Sequence, residues 1–167
     1  MADTTVRQVR FFRVRSPLSQ PIADATHTIS AITFIVARVE LTSGASGDGY
    51  LLAFDFSPHG IAGVLNDIRA LVEGRQVYET GRLRAEWDAA AEYFGNVGLQ
   101  RWAWGVVNLA LWDAWAKTLG QPVWKLFGQT HDRVPVYGSG GWLSYSIEEL
   151  LDEVRRRLGC RVRLAVS

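Results

Sequence analysis

The chain is poor in cysteine and methionine, and neither sign of charge dominates it. Among its 167 residues the only cysteine is Cys160, which excludes an internal disulfide framework and a zinc site built from cysteines. The formal net charge is +1 and Lys and Arg do not cluster strongly, so the sequence gives no reason to expect a nucleic-acid partner. The densest basic run, at residues 155–157, lies on a predicted helix and is interpreted as a solvated face.

Long apolar segments are also lacking. The longest run, residues 102–116, is interrupted by Asn108 and Asp113 and is shorter than the roughly 20 apolar residues that a bilayer span requires. The first residues lack the apolar core of a signal peptide, so we expect a cytoplasmic protein. Because the run is apolar on all sides of a helix, it predicts the buried central helix of a soluble domain.

Three strands are predicted in the first third of the chain. Residues 6–15 mix β-branched, aromatic and basic residues, as in a strand with one wet side. Pro17 and Pro21 then predict a loop that runs to about residue 32. Residues 33–41 and 47–54 form two further strands joined by a turn. Together the strands predict an antiparallel meander with one face left to cover.

Helices are predicted to cover that face. The first begins at Pro58 with Ser57 as its N-cap and ends at Gly74. Its apolar stripe comprises Ile61, Val64, Leu65, Ile68, Leu71 and Val72. A second, more polar helix is predicted at residues 78–94. The central helix, which contains the apolar run 102–116, is predicted to end near Gly120. This order predicts the α+β class, a three-stranded antiparallel meander packed on a helical bundle.

A different segment follows residue 130. Short strands are predicted at residues 134–137 and 160–167, with a helix between them. Ser146 and Glu149 form a capping box for this helix, and its apolar stripe comprises Ile147, Leu150, Leu151, Val154 and Leu158. A lone β-α-β unit cannot cover both faces of its strand pair, which predicts that further chain belongs to it. We therefore expect two domains, residues 1–130 and an incomplete domain at 131–167.

Three motifs between residues 98 and 128 resemble the signature of a known enzyme family. Gly-Leu-Gln-Arg at 98–101, Ala-Leu-Trp-Asp-Ala-Trp-Ala-Lys at 110–117 and Gly-Gln-Pro-Val-Trp-Lys-Leu-Phe-Gly at 120–128 occur in order. Together they resemble the amino-terminal signature of the mandelate racemase and muconate lactonizing enzyme group of the enolase superfamily. Val-Pro-Val-Tyr-Gly-Ser-Gly at 134–140 is similar to the first barrel strand of such enzymes, and the resemblance covers nearly all of residues 6–161.

The resemblance implies an enolase-like N-terminal capping domain that closes over a (β/α)₇β barrel. In such enzymes Mg²⁺ stabilises the enediolate formed when a Lys or His base removes a proton α to a carboxylate. The implied activity is that of an acid-sugar dehydratase or a 2-hydroxyacid racemase. The implied partners are a small carboxylate or sugar-acid substrate and further copies of the enzyme, since the family is often homo-oligomeric; no nucleic acid or membrane is implied.

Substrate specificity in this group comes from two cap loops, which map to residues 17–32 and 51–56. The substrate-binding residues implied by the resemblance are Ile22, Asp24, Ile29, Phe54 and Ser139. Asp24 has a second interpretation, as the Asx-turn residue of a Thr- and Ser-rich loop. His27 is either a substrate contact or an exposed loop residue. For Asp113 a structural role is favoured, through Lys117 four residues on or a neighbouring backbone N–H.

The end of the chain departs from the family pattern. The second barrel strand of the group reads close to Gly-Phe-Arg-Ala-Val-Lys-x-Lys, but Leu164 and Val166 stand here in place of the two lysines. The match fails after Arg161, as a reading-frame error or a premature stop would produce. Since the carboxylate metal ligands of the group lie on later strands, we expect no catalytic or metal-binding residue in this chain and no activity from it alone.

Two kinds of function follow as hypotheses. The first is the specificity cap of a Mg²⁺-dependent enzyme, with a dehydratase preferred because Asp24 and the Thr-rich loop are more polar than an aryl pocket requires. The alternative is a non-enzymatic binding or interaction module, or an inert truncation product. The tryptophans at 102, 104, 112, 115 and 124 are interpreted as packing residues in either case.

Overall fold

The computed structural model describes residues 3–53, 58–93, 95–137 and 139–159. For residues 158 and 159 it describes the backbone but not the side chains. The elements in chain order are β1 (Val6–Ala23), β2 (Thr28–Leu41), β3 (Ser46–Leu52), α1 (Pro58–Val72), α2 (Thr80–Ala90), α3 (Leu99–Thr118), α4 (Val123–Leu126) and α5 (Ile147–Gly159). They divide into two compact units. The first comprises Met1–Ser16 and Ile32–Gly128, and the second comprises Pro17–Ala31 and Gln129–Ser167.

The sheet is the predicted three-stranded antiparallel meander, with β2 between β1 and β3. The register of β2 on β3 pairs Phe34 with Leu52, Val36 with Tyr50 and Arg38 with Asp48. Alternation along β2 is strict, because every second residue from Ala31 to Leu41 is buried and the residues between are half-buried. The α+β class predicted from the sequence is confirmed.

The loop predicted from the two prolines is wrong. Both Pro17 and Pro21 lie inside β1, and only the residues between Ala23 and Thr28 form a turn. The reason is the position of β1 at the edge of the sheet, where a residue without an N–H removes no ladder hydrogen bond if it faces outward. The prolines are four residues apart, so their nitrogens point to the same side of the strand.

The core of the first unit lies between the sheet and three helices. From α1 it receives Ile61, Leu65, Ile68 and Val72, with Val64 and Leu71 packed against them, as the predicted stripe requires. Gly74 follows at φ 82°, the left-handed conformation that ends a helix. The second helix, α2, is shorter than the predicted 78–94 and buries Leu83 and Trp87.

Helix α3 lies directly against β3, and two glycines of that strand make this possible. A Cβ atom on Gly47 would overlap backbone atoms of Ala110 and Ala114, and one on Gly49 would overlap those of Val106 and Ala110. The helix contributes small residues at the contact, so that two backbones meet without side chains between them. The approach also covers an edge of the sheet, since Asp113 Oδ2 accepts a hydrogen bond from the N–H of Asp48 at 2.8 Å.

The prediction that α3 is buried on all sides is wrong. One side is buried, including Trp104, Val107 and Leu111, but Trp102 is 50% exposed and Leu109 is 53% exposed. The sheet covers one side of α3 and the neighbouring helices cover part of the rest, which leaves Trp102 and Leu109 in contact with solvent. The helix ends as predicted, at Gly120, in a Schellman motif.

The second unit contains α5 and the hairpin tip Pro17–Ala31, which joins β1 to β2. The predicted capping box of α5 is confirmed, because Ser146 N donates to Glu149 Oε2 at 2.8 Å and Glu149 N donates to Ser146 Oγ at 3.2 Å. Residues 134–137, predicted as a strand, form none, because no segment of the described chain pairs with them. Their predicted partner, residues 160–167, lies outside the described residues.

No helix in the described part of the chain is long and apolar enough to cross a membrane.

Candidate functional site

Four of the five residues predicted to bind substrate belong to the second unit. Ile22, Asp24 and Ile29 lie on the hairpin tip, and Ser139 lies in the segment before α5. Counting back from the Asp24 N–His27 O hydrogen bond of the turn places Ile22 opposite Ile29. Both isoleucines are half-buried, while Asp24 and Ser139 are exposed. Phe54, the fifth residue, lies outside the described residues.

Asp24 organises the turn in which it stands. Its Oδ1 accepts hydrogen bonds from the backbone N–H groups of Thr26 and His27, both at 2.7 Å, and from Thr26 Oγ1 at 3.0 Å. These donors, led by the two backbone amides, lower the pKa of Asp24 to about 2. The Asx-turn interpretation is therefore confirmed. Oδ1 is occupied by the turn, while Oδ2 lies 3.4 Å from His27 Nδ1.

The hairpin tip is fastened to the segment that follows Ser139. Leu143 N donates to Ala23 O at 3.0 Å, and Ser144 Oγ donates to Pro21 O at 3.2 Å. These contacts bring backbone positions on either side of Ile22 against the chain that leads into α5. Four of the five residues named by resemblance, in two distant stretches of sequence, thus belong to one physically connected unit.

A third contact links the hairpin to the capping box. Gln20 Nε2 donates to Glu149 Oε1 at 3.2 Å, while Oε2 of the same carboxylate accepts from Ser146 N. The Ser146 backbone and then the Gln20 amide hold the pKa of Glu149 below its ordinary value. The capping box was predictable, but the contact with Gln20 was not. The two residues are 129 positions apart and nothing in their local patterns relates them.

Ser139 is followed by a glycine pair that α5 holds in place. Glu153 Oε2 accepts from Gly141 N at 2.9 Å, and a Cβ atom on Gly140 would lie 2.5 Å from that oxygen. Gly141 has φ 83°, a left-handed conformation that favours glycine, whereas a side chain at Gly140 would require only that the Glu153 carboxylate move. Arg157 holds Glu153 from the other side at 2.8 Å, and with Gly141 it lowers the pKa of the carboxyl.

Asp113 has the structural role that the sequence favours. Besides accepting from Asp48 N, its Oδ2 lies 2.6 Å from Lys117 Nζ. The tryptophans of α3 pack as predicted where they meet other rings. Trp112 lies 5.0 Å from Trp115 and 4.3 Å from Phe127 between ring centroids.

The described residues contain no group of three or more His, Cys, Asp or Glu side chains placed to hold a metal ion. Leu164 and Val166, which replace the expected lysines, lie outside the described residues. Within the second unit, the structure thus places two opposed isoleucines and the Asp24 carboxylate on the hairpin tip, and Ser139 in the glycine-containing segment before α5.

Comparison with known proteins identifies the family of the chain. A family model described as mandelate racemase / muconate lactonizing enzyme, N-terminal domain, matches residues 6–128. The 3,6-anhydro-alpha-L-galactonate cycloisomerase of Streptomyces coelicolor A3(2) is 28% identical over 155 residues, which cover 92% of this chain and 43% of that protein.

Solved structures of related enzymes share the fold. A racemase from Streptomyces coelicolor A3(2) with bound magnesium gives a TM-score of 0.83 at 28% identity, covering 92% of this chain and 44% of that one. The L-talarate dehydratase of Polaromonas sp. JS666, complexed with Mg and L-glucarate, gives 0.81 at 26% identity, covering 93% and 43%. The present chain spans under half the length of each of these relatives. From the match over residues 6–128 and the shared fold, the chain belongs to the mandelate racemase / muconate lactonizing enzyme family.

Proposed function

We propose that this chain is the substrate-specificity cap, with the start of the barrel, of a Mg²⁺-dependent enzyme that removes a proton α to a carboxylate. The observation that carries the proposal is the fastening of the hairpin tip to the segment after Ser139. Through it, Ile22, Asp24 and Ile29 are held by the same unit as Ser139. A rigidly held surface of this kind would discriminate against a substrate that leaves one of the polar groups of the surface without a hydrogen-bond partner.

The proposed substrate is a sugar acid, and the proposed reaction is a dehydration rather than a racemisation. Asp24 supports this choice, because a carboxylate that stays ionised accepts hydrogen bonds from hydroxyl groups and suits a polyol better than an aryl ring. One relative, the Polaromonas enzyme, was solved with L-glucarate, a compound of this class. His27, beside Asp24, would then be a second polar contact at the tip.

The metal would have to be held by residues other than those described here, because they supply no suitable set of ligands. No catalytic step is therefore assigned to the described residues, and we propose that the chain alone does not turn over substrate. This is tested by incubating the purified chain with Mg²⁺ and a panel of sugar acids and 2-hydroxyacids. Product formed in proportion to the chain, and absent from a mock purification, would contradict the proposal.

The role in specificity is tested in a chimera that carries residues 1–159 of this chain on the remainder of the Polaromonas dehydratase, so that the contacts of the hairpin tip with residues 143–149 are kept. Asp24→Asn keeps an oxygen that accepts the turn hydrogen bonds but removes the charge. We expect it to raise KM for sugar acids about tenfold, the effect of one charge-assisted hydrogen bond, with a smaller change in kcat. The matched control is Asp67→Asn on α1, also an exposed aspartate, which should leave both constants unchanged. Equal effects of the two substitutions would remove Asp24 from the site.

A second candidate function rests on α5. Of its apolar stripe, the four side chains that the structure describes are exposed: Leu150 at 38%, Val154 at 45%, Leu151 at 46% and Ile147 at 77%. A stripe of this kind is typical of a helix that packs against something else, which would suit a non-enzymatic interaction module. Two results together would favour this second function over the first. Asp24→Asn would leave KM unchanged in every chimera that is active, and the chain would form a stable complex with another protein that Leu151→Lys abolishes.

A further inference from the structure

The face of the sheet that points away from the core carries an apolar patch. We call it the outer face; its apolar side chains are Phe12 and Val14 on β1, Phe34 and Val36 on β2, and Tyr50 and Leu52 on β3. Tyr50 is 65% exposed, Val14 is 47% exposed and Phe12 is 41% exposed. An open groove of about 420 Å³ is lined by Val14, Phe34, Val36 and Tyr50 of this patch, together with Asp48 and Gly49. Apolar patches of a few hundred Å² are the largest that a typical monomer exposes, and they are often functional.

The patch is already ordered in the single chain. Phe34 stands edge-on to the ring of Tyr50, with 5.9 Å between centroids, and the strand register places Leu52 directly beside Phe34. Side chains that are fixed before association lose little conformational freedom when they are covered. A flat, prearranged sheet face is suited to packing on another sheet, and such sheets stack about 10 Å apart.

Next to the patch, the same face carries a band of charges with a definite order. Glu40 of β2 forms ion pairs with two residues of β1, Arg7 at 2.6 Å and Arg10 at 2.5 Å. On the other side of β2, Arg38 holds Asp48 of β3 at 2.7 Å. The band is therefore basic at the β1 edge and acidic at the β3 edge, while the apolar patch lies alongside it on all three strands.

We propose that the outer face is the contact surface between two copies of this chain. The copies are related by a two-fold axis that lies between the two sheets, parallel to β2. Such an axis keeps position along the strands and exchanges the two edges of the sheet. The apolar patch then meets the apolar patch of the other copy, with Val14 facing Tyr50. In the charged band, Arg10 at the basic edge faces Asp48 at the acidic edge of the other copy.

Charge and area both favour a second copy as the occupant. A partner of one strong charge sign would meet repulsion at one edge of the band, whereas the exchange of edges satisfies both. With about 200 Å² for an aromatic side chain, the exposed fractions give a patch on the order of 300 Å². A standard interface buries about 800 Å² on each side, with an apolar centre and a polar rim. The patch supplies the centre and the charged band supplies the rim.

The first test is the mass of the whole 167-residue chain in solution, by sedimentation velocity at about 100 µM, where a dimer of micromolar Kd is filled. We expect a dimer, and we expect Tyr50→Lys to raise its dissociation constant by about tenfold or more, since it places a charge in the centre of the contact. Val97→Lys is the control, because Val97 is 73% exposed and lies outside the sheet. A monomer throughout would overturn the proposal. So would a dimer that Leu151→Lys on α5 abolishes and Tyr50→Lys does not.

The second test reads the geometry and leaves the fold intact. In a background with Cys160→Ser, single cysteines are introduced in place of Val14, Val36 and Tyr50, and the chains are joined by a short bifunctional maleimide. The two-fold axis predicts that Val36→Cys chains link to one another. It also predicts that Val14→Cys chains link to Tyr50→Cys chains but not among themselves. Efficient linking of Val14→Cys chains to each other would exclude this axis and overturn the proposal.

Discussion

Replacing Gly49 by alanine tests the contact on which the first unit is built. A Cβ atom at this position would overlap the carbonyl oxygen of Val106, and would lie 2.8 Å from Ala110 N and 2.9 Å from Leu109 Cβ. None of these atoms belongs to the end of a flexible side chain. The added methyl group can be accommodated only if α3 moves away from β3.

The size of the effect follows from what such a movement disturbs. Adding a methyl group to a packed core typically costs about 1–3 kcal/mol, and the upper part of that range applies because the obstacle is backbone. Alanine recovers about 0.5–1 kcal/mol of chain entropy relative to glycine, which reduces the net effect. We therefore expect Gly49→Ala to lower the free energy of unfolding by about 2 kcal/mol, and to lower Tm by about 4–8 °C.

Urea unfolding followed by tryptophan fluorescence measures this quantity, because Trp104 is buried in the same core. The matched control is Gly105→Ala on α3, where nothing lies within 4 Å of the added Cβ atom. That substitution should raise the free energy of unfolding by about 0.5–1 kcal/mol through helix propensity. If Gly49→Ala proves as stable as Gly105→Ala, then α3 does not approach β3 as closely as described.

Three further predictions concern polar contacts. Asp113→Ala leaves the Asp48 N–H of the sheet edge without its acceptor, so it should lower the free energy of unfolding by about 1 kcal/mol in the same urea assay. Ser146→Ala removes the cap of α5 and should speed amide exchange along that helix by the equivalent of about 1 kcal/mol. Arg75 and then Arg82 lower the pKa of Glu86 to about 2 from 4.5. The stabilisation by Glu86 is thus complete above pH 4.5 and is lost as the pH falls towards 2, so wild type and Glu86→Gln should differ in urea midpoint near neutral pH and converge in acid.

Each of these has its own control. Lys117→Ala removes only a surface ion pair with Asp113 and should cost less than Asp113→Ala, so a larger loss would deny the Asp48 contact its role. Faster exchange in α1 as well as α5 after Ser146→Ala would show a global rather than a local effect. A gap between wild type and Glu86→Gln that widens in acid would contradict the direction of the pKa shift.

Much of the fold follows from local patterns. The alternation along β2, the apolar stripe of α1 and the capping box at Ser146 were all predictable, because each is a relation among residues a few positions apart. Helix ends at Gly74 and Gly120 were predictable for the same reason, since the left-handed conformation there suits glycine. Composition also excluded an internal disulfide, because the chain contains a single cysteine.

The candidate site was only partly accessible in this way. Ile22, Asp24, Ile29 and Ser139 could be named through a family resemblance, but their attachment could not. The bond from Leu143 to Ala23 and the bond from Gln20 to Glu149 join stretches more than 100 residues apart. A contact at such a separation leaves no period or spacing for a sequence pattern to register.

The sequence alone determined the buried faces of β2 and α1, the capping box of α5 and the helix ends at Gly74 and Gly120, because these depend on neighbouring side chains. Tertiary structure decided the rest. The prolines of β1 are tolerated because β1 lies at an edge of the sheet, and α3 keeps Trp102 and Leu109 exposed because the sheet and the neighbouring helices leave that part of it uncovered. The glycines at 47 and 49 acquire their purpose only when the backbone of α3 lies against them. In each case the deciding neighbour is distant in sequence, and only the folded chain supplies it.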